Sequence, residues 1–371
     1  MKLRHALTAL ALTALSASAC KDDVKPEAAK ESTSATAKNG ATSSDAAKSA
    51  APLSDAKPGP SASAPAPAGS ATLDAKGMPS ATNGVLADGV ADGILKAGGA
   101  PVVKLVSAGD EPREAITYDL GENKKQSTGM KMNLEMSMQV GAQAMPATNI
   151  PQIGMNLELS TGKKDANGDI QVDGTITKVA VKASTPAEEP LVKALQPVMD
   201  GMKGIKIDYY VSPKGRARDV KVTTPPKADP NATQMIDQMK QSFDSMVAPL
   251  PDEPVGKGAS WVVVTRLKTG ADILQYTTYK LKSRSGSKIE LETEVKQFAA
   301  SNQITAPGAG SSGKITKFLS EGTGFSALDL KSLAPEKGNG NVSGSMSLDA
   351  APMGAMTVDT KVKIEFGPPI P

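Results

Sequence analysis

The chain has 371 residues, with 42 basic side chains against 39 acidic ones and a net charge of +3. That balance gives no basic field for nucleic acid and little steering toward any charged partner. The single histidine, His5, and the single cysteine, Cys20, both stand at the extreme N-terminus, so a chain cut before Cys20 has no imidazole for Ser-His-Asp or Cys-His catalysis and few options for zinc.

Met1-Lys2-Leu3-Arg4-His5 is a basic head, and Ala6 through Leu15 is an apolar run broken only by Thr8 and Thr13. A spanning helix needs about 20 apolar residues, so this shorter run reads as an export signal. Ser16-Ala17-Ser18-Ala19-Cys20 follows. Ala17-Ser18-Ala19 suits an ordinary signal peptidase. The same residues ahead of Cys20 resemble the lipobox of bacterial lipoproteins, with Ala17 where Leu is usual. We favour the lipobox because the only cysteine falls at the required place. The resemblance, confined to the first 20 or so residues, implies cleavage between Ala19 and Cys20. It further implies acylation of Cys20, palmitate included, and a membrane as partner. Lys21 argues against the Asp-type retention signal of inner-membrane lipoproteins, although Asp22 and Asp23 follow it. The expected place is the cell envelope, at the outer rather than the inner membrane. Removal of residues 1–19 takes Lys2 and Arg4 from the 42 basic residues and leaves 40 against 39 acidic ones.

Residues 20–83 read as the lipidated cysteine and a tether. Ala, Ser, Lys, Asp, Pro and Thr dominate, and aromatics are absent. Such a composition cannot bury enough surface to offset the entropy of ordering. A coil of that length spans about 45 Å on average.

Residues 84–371 read as one folded domain. Val85, Leu86, Val90, Ile94 and Leu95 suggest one side of a short helix interrupted by glycines. From Ile116 the apolar period is two. Met130, Met132, Leu134, Met136, Met138 and Val140 alternate with polar residues, and Met155, Leu157 and Leu159 repeat the pattern. Asn167-Gly168 predicts a hairpin into Ile170, Val172, Ile176, Val179 and Val181, with a change of phase near Thr177-Lys178 that predicts a bulge. Helical spacing predicts helices over 187–202, where Pro197 should kink the axis, and over 231–247, capped by Asn231. Between them Ile205–Val211 and Val220–Val222 flank a turn at Ser212-Pro213-Lys214-Gly215. Further strands are predicted at 261–267, 273–282, 289–298, 314–319, 325–330, 342–348 and 356–366. Aromatics make up only 3% of the chain, so the core must draw on Val, Ile, Leu and the 16 methionines. The expected class is α+β, mainly β: a large antiparallel sheet, curved or half-barrel, with two or three helices on one face, or else a β-sandwich.

Four constellations suggest chemistry. The Met130, Met132, Met136 and Met138 thioethers suit Cu(I), but residues on one strand cannot close a coordination sphere, so the face reads as core. Asp165-x-Asn167-x-Asp169 opens like a calcium loop, but Ile170 and Ile176 stand where Gly and Glu are required, so it reads as a turn. Glu290, Glu292 and Glu294 alternate with Ile289, Leu291 and Val295 as a solvent face does. Gly308-x-Gly310-Ser311-Ser312-Gly313-Lys314 lacks phosphate-loop spacing. No catalytic residue, metal or cofactor is assigned. The expected function is non-enzymatic: a membrane-anchored module that binds a lipid or other apolar ligand. The alternatives are a structural module docking on an envelope protein and an acid-dependent hydrolase. The long amphipathic strands behind an export signal are similar in general look to periplasmic lipoprotein carriers.

Overall fold

The structure, a computed structural model, describes residues 72–224, 247–269, 271–305, 312–350 and 354–371. The predicted helix over 231–247 lies outside these residues except for Val247, as do Ala19, Cys20 and most of the tether.

Twelve strands form one open sheet. They are β1 (Val102–Ser107), β2 (Lys125–Val140), β3 (Gln143–Lys164), β4 (Ile170–Lys182), β5 (Lys206–Val211), β6 (Ala217–Thr223), β7 (Ser260–Thr269), β8 (Ala271–Ser285), β9 (Lys288–Thr305), β10 (Ser312–Asp329), β11 (Lys337–Ala350) and β12 (Gly354–Gly367). Their spatial order is β1-β7-β8-β9-β10-β11-β12-β2-β3-β4-β5-β6, and neighbours pair antiparallel throughout. The fold is therefore mainly β with a few helices, and a single sheet takes the place of a sandwich. The described helices are α1 (Val90–Ile94) and α2 (Glu189–Asp200). A short 3-10 turn, Pro186–Glu188, leads into α2.

Strand alternation produces the core. The even residues of β2 and β12 and the odd residues of β7, β8 and β9 share the inner face, as the register Leu134↔Val362, Trp261↔Tyr279 and Leu281↔Leu291 requires. One core cluster joins Trp261, Val263 and Leu291 to Leu157, Ile176, Ile207 and Tyr209. Those strands are far apart in the sheet order, so the sheet must curve until its two flanks share a core. Segments 116–120 and 247–255 fill the space between the flanks. Ile116, Tyr118, Leu120, Leu250 and Val255 are all buried there. The Trp261 indole donates to Pro249 O at 2.8 Å, the Tyr118 hydroxyl donates to Ala248 O at 3.1 Å, and Lys214 Nζ donates to Ile116 O and Pro251 O. The period-two signal thus begins in an extended plug at 116–120, outside any strand, and continues in β2 and β3 as predicted.

Helix α2 lays Met199 on the same inner face. The Glu188 carboxylate ties down its approach, accepting from Ser184 N at 2.7 Å and from the Thr185 hydroxyl at 3.3 Å. Pro197 lies inside the helix, which runs on to Asp200. Helix α1 takes the opposite face, where Leu86, Ala91 and Leu95 cover Val262, Leu274, Tyr276 and Phe298.

Residues 72–83, read from the sequence as tether, pack on the domain. Met78 lies against that outer cluster. Segment 83–86 goes further and fills a gap in the sheet. β9 and β10 pair at 303–305 and again up to Gln297, but not between. In the gap Ala299 N donates to Gly84 O, Leu86 N to Ala299 O, and Phe318 N to Asn83 O. Gly84 has φ 70°, and a Cβ there would fall 1.6 Å from Phe318 O, so only glycine fits.

Candidate functional site

A cavity of about 890 Å³ lies against the middle of the sheet. Its walls come from β2, β3 and β8 through β12, with Met78 from the N-terminal segment and Ser184, Thr185 and Glu188 from the approach to α2. Residues of both sheet faces reach it. Leu134, Val295, Val342 and Val362 come from the inner face, and Glu135, Glu294, Lys296, Glu321, Lys361 and Lys363 from the wet face. Leu134, Val295 and Val342 are only half-buried, whereas Val362 is buried. The volume falls within the range of about 300–1,000 Å³ usual for small-molecule sites.

The inner face is banded. At one end of the strands lies the large core; at the other Met138, Ile273, Ile315, Phe318, Met346, Leu348 and Val358 form a second cluster. Between them runs a polar belt. Gln297 Nε2 donates to Gln275 Oε1 at 2.7 Å, the Ser320 hydroxyl donates to Gln297 Oε1 at 2.6 Å, and Gln275 Nε2 donates to Thr277 Oγ1 at 3.3 Å. A satisfied network of this kind fixes strand register where apolar packing alone would permit slippage. It also leaves polar contacts beside the apolar floor of the cavity.

The other sequence motifs take defined places. Met132 belongs to the large core and Met138 to the second cluster, so the methionine stripe serves two separate packing sites. The Asp165 turn holds itself: Asp165 Oδ1 accepts from Asn167 N at 2.8 Å and Asp169 N at 3.0 Å. Its charge is met by a guanidinium. Arg218 pairs with Asp165, donates to Asp169 Oδ2 at 2.7 Å, and lies 4.4 Å from the centre of the Tyr210 ring. Arginine thus stands where the calcium-like spacing suggested a metal. Glu290, Glu292 and Glu294 are exposed and pair with Ser283, Lys282 and Lys76. Most of the Gly308–Lys314 loop lies outside the described residues. Among the described residues, no three His, Cys, Asp or Glu side chains stand together to hold a metal.

Two residues that sequence reading missed form a like-charge pair. Asp173 on β4 is directly opposite Asp208 on β5. Burial, and then the hydrogen bond and charge of Asp208, raise the Asp173 carboxyl above its usual range. A raised folded-state pKa means that the pair is harmless at low pH and costs stability as pH rises through it. Asp208→Asn is therefore expected to stabilise the domain at pH 7 by on the order of 0.5 kcal/mol. The gain should vanish below about pH 3, where the carboxyl is protonated in both states. Thermal melts of both proteins at the two pH values check this.

No protein-family profile and no curated protein matches the chain. One solved structure, described as "Lipid-protein interactions in lipovitellin", aligns with a TM-score of 0.34 at 11% identity, over 68% of this chain and 26% of that one. The chain therefore spans about a quarter of that protein's length, and a likeness of this size bears on neither activity nor ligand.

Proposed function

We propose that this chain is a cell-envelope lipoprotein, held to the outer membrane by acyl groups on Cys20, whose domain holds a lipid or similar apolar ligand in the sheet cavity. The observation that supports the ligand reading is the set Leu134, Val295 and Val342. These apolar side chains remain half-buried beside a space of about 890 Å³, between buried apolar clusters toward either end of the strands. Apolar surface left uncovered within a curved sheet favours an apolar guest by about 25 cal/mol for each Å² removed from water.

The test is a titration of the non-lipidated chain (Cys20→Ser) with a fluorescent fatty acid. Saturable one-to-one binding is expected, and Leu134→Arg or Val342→Arg should weaken it by about tenfold or more. Binding that is absent, or equally strong in both variants while their circular dichroism is unchanged, overturns the reading.

A docking role has one observation in its favour. β1 is an edge strand, and it exposes Val102 at 45% and Val106 at 38%. Lys104 stands between them, the residue type that edges use to resist pairing, so this reading takes second place.

A further inference from the structure

A second hollow, of about 470 Å³, lies where β2 begins, between segment 119–121 and the connection from β10 to β11. It shares no lining residue with the sheet cavity. Lys124, Lys125 and Lys331 line it, with Asp119 as the one acid of its wall. Polar side chains fix both rims. On one side the buried Thr161 hydroxyl accepts from Lys124 N at 2.9 Å and donates to Gly121 O, and Thr161 N donates to Lys124 O at 2.9 Å. On the other, Gln126 Oε1 accepts from Leu333 N at 3.0 Å and Ala334 N at 3.3 Å, and Lys331 N donates to Asp329 Oδ1 at 3.0 Å. The Lys124 stem lies along Gly121, where a Cβ would stand 3.0 Å from Lys124 Cε.

The charge of this hollow is not balanced from within. Among the described residues, Lys124, Lys125 and Lys331 take part in no ion pair. Asp119 faces Lys164 Nζ at 3.8 Å, and the nearby Glu122 accepts from Lys164 N at 3.0 Å, so both local acids are turned to residue 164. Elsewhere on the sheet exposed lysines find carboxylates: Lys282 with Glu292 at 2.9 Å, Lys288 with Glu336 at 2.8 Å and Lys361 with Glu135 at 3.2 Å. The Asp329 carboxyl, at the base of the Lys331 loop, is held below its usual range. The Lys331 N–H is the main cause, a hydrogen bond from Ser287 adds to it, and so do the charges of Lys288 and Lys331.

We propose that this hollow is a phosphate site, in which Lys124, Lys125 and Lys331 bind the phosphate monoester of a small molecule or of a lipid head. Three ammonium groups against one aspartate leave an excess that a single carboxylate would not balance. A phosphate monoester carries a charge of about −1.5 to −2 at pH 7 and three acceptor oxygens, which matches both the excess and the number of donors. The wall has no arginine, the residue whose planar fork suits a carboxylate; lysine binds phosphate as a point charge. The volume lies within the range of about 300–1,000 Å³ of small-molecule sites, so there is room for what the phosphate is attached to. This site stands apart from the apolar ligand proposed for the sheet cavity and does not depend on it.

The test uses the full non-lipidated chain (Cys20→Ser) and two probes. Calorimetric titration with glycerol 3-phosphate reads the free ester, and flotation with phosphatidylcholine vesicles, with and without phosphatidic acid, reads the lipid head. Binding to at least one probe is expected. Lys124→Gln and Lys331→Gln should each weaken it by about tenfold or more, while Lys193→Gln, an exposed lysine on α2, should leave it unchanged. Saturation by glycerol 3-phosphate at one site identifies a free ester as a ligand; flotation that requires phosphatidic acid and is lost in the two variants identifies a lipid head. The fatty-acid titration should be the same in all three variants, so the two sites can fail separately. No binding to either probe, or binding that Lys193→Gln weakens as much as Lys331→Gln does, overturns the proposal.

Discussion

Trp261→Ala is expected to destabilise the domain by about 3–5 kcal/mol. Trp261 is fully buried. It stacks on Tyr279 at 5.6 Å between ring centroids and donates to Pro249 O at 2.8 Å. The substitution removes a large volume from the core and also leaves the carbonyl of Pro249 without its donor. For a domain of this size each kcal/mol lowers Tm by about 2–4 °C, so a fall of roughly 6–20 °C should appear in a calorimetric scan. Trp261→Phe keeps the stacking and most of the volume and should recover more than half of the loss. If Trp261→Ala melts with the parent protein, segment 247–255 does not close the core as described.

Cys20→Ser is expected to release the protein from membranes. A single acyl chain gives an association constant of about 10⁴ M⁻¹, and a lipoprotein carries more than one, so loss of the anchor should lower partitioning by about 10⁴-fold or more. Metabolic labelling with palmitate and ultracentrifugation provide the readout. The parent chain should carry label and pellet with envelope membranes, and the variant should carry none and remain in the supernatant. An unlabelled parent chain, soluble after cell lysis, would remove the anchor from the account.

Local signals in the sequence carried most of the sheet. Asn167-Gly168 does turn β3 into β4, and the change of phase at Thr177 is a real bulge, because Asn156 pairs with Lys178 and Leu157 with Ile176. β10 was harder to read. Residues 314–319 and 325–330 resemble two strands because Gly322 and Gly324 suggest a turn, yet β10 runs unbroken over Ser312–Asp329. Its glycines answer a tertiary demand: a Cβ on Gly322 would stand 2.6 Å from Asn341 O across the strand pair. β1 escaped notice because six residues between Pro101 and Ala108 are too few to show a period. Its strand character comes from pairing with β7.

The candidate cavity was beyond the reach of local reading for a related reason. Its lining runs from Met78 to Lys363, and those residues meet only after the sheet has curved. The partner of the Asp165 turn was hidden in the same way, since Arg218 stands 53 residues downstream. An apolar period of two identifies which residues face inward. It does not reveal where the inner face is left uncovered.

The central claim is that the cavity holds an apolar guest, and native mass spectrometry of the mature chain purified from its own membranes tests it most directly. The account predicts a population heavier than the acylated chain by the mass of one lipid, lost on collisional activation and depleted in Val342→Arg. A bare chain mass in every charge state, unchanged after incubation with envelope lipid extract, would contradict it.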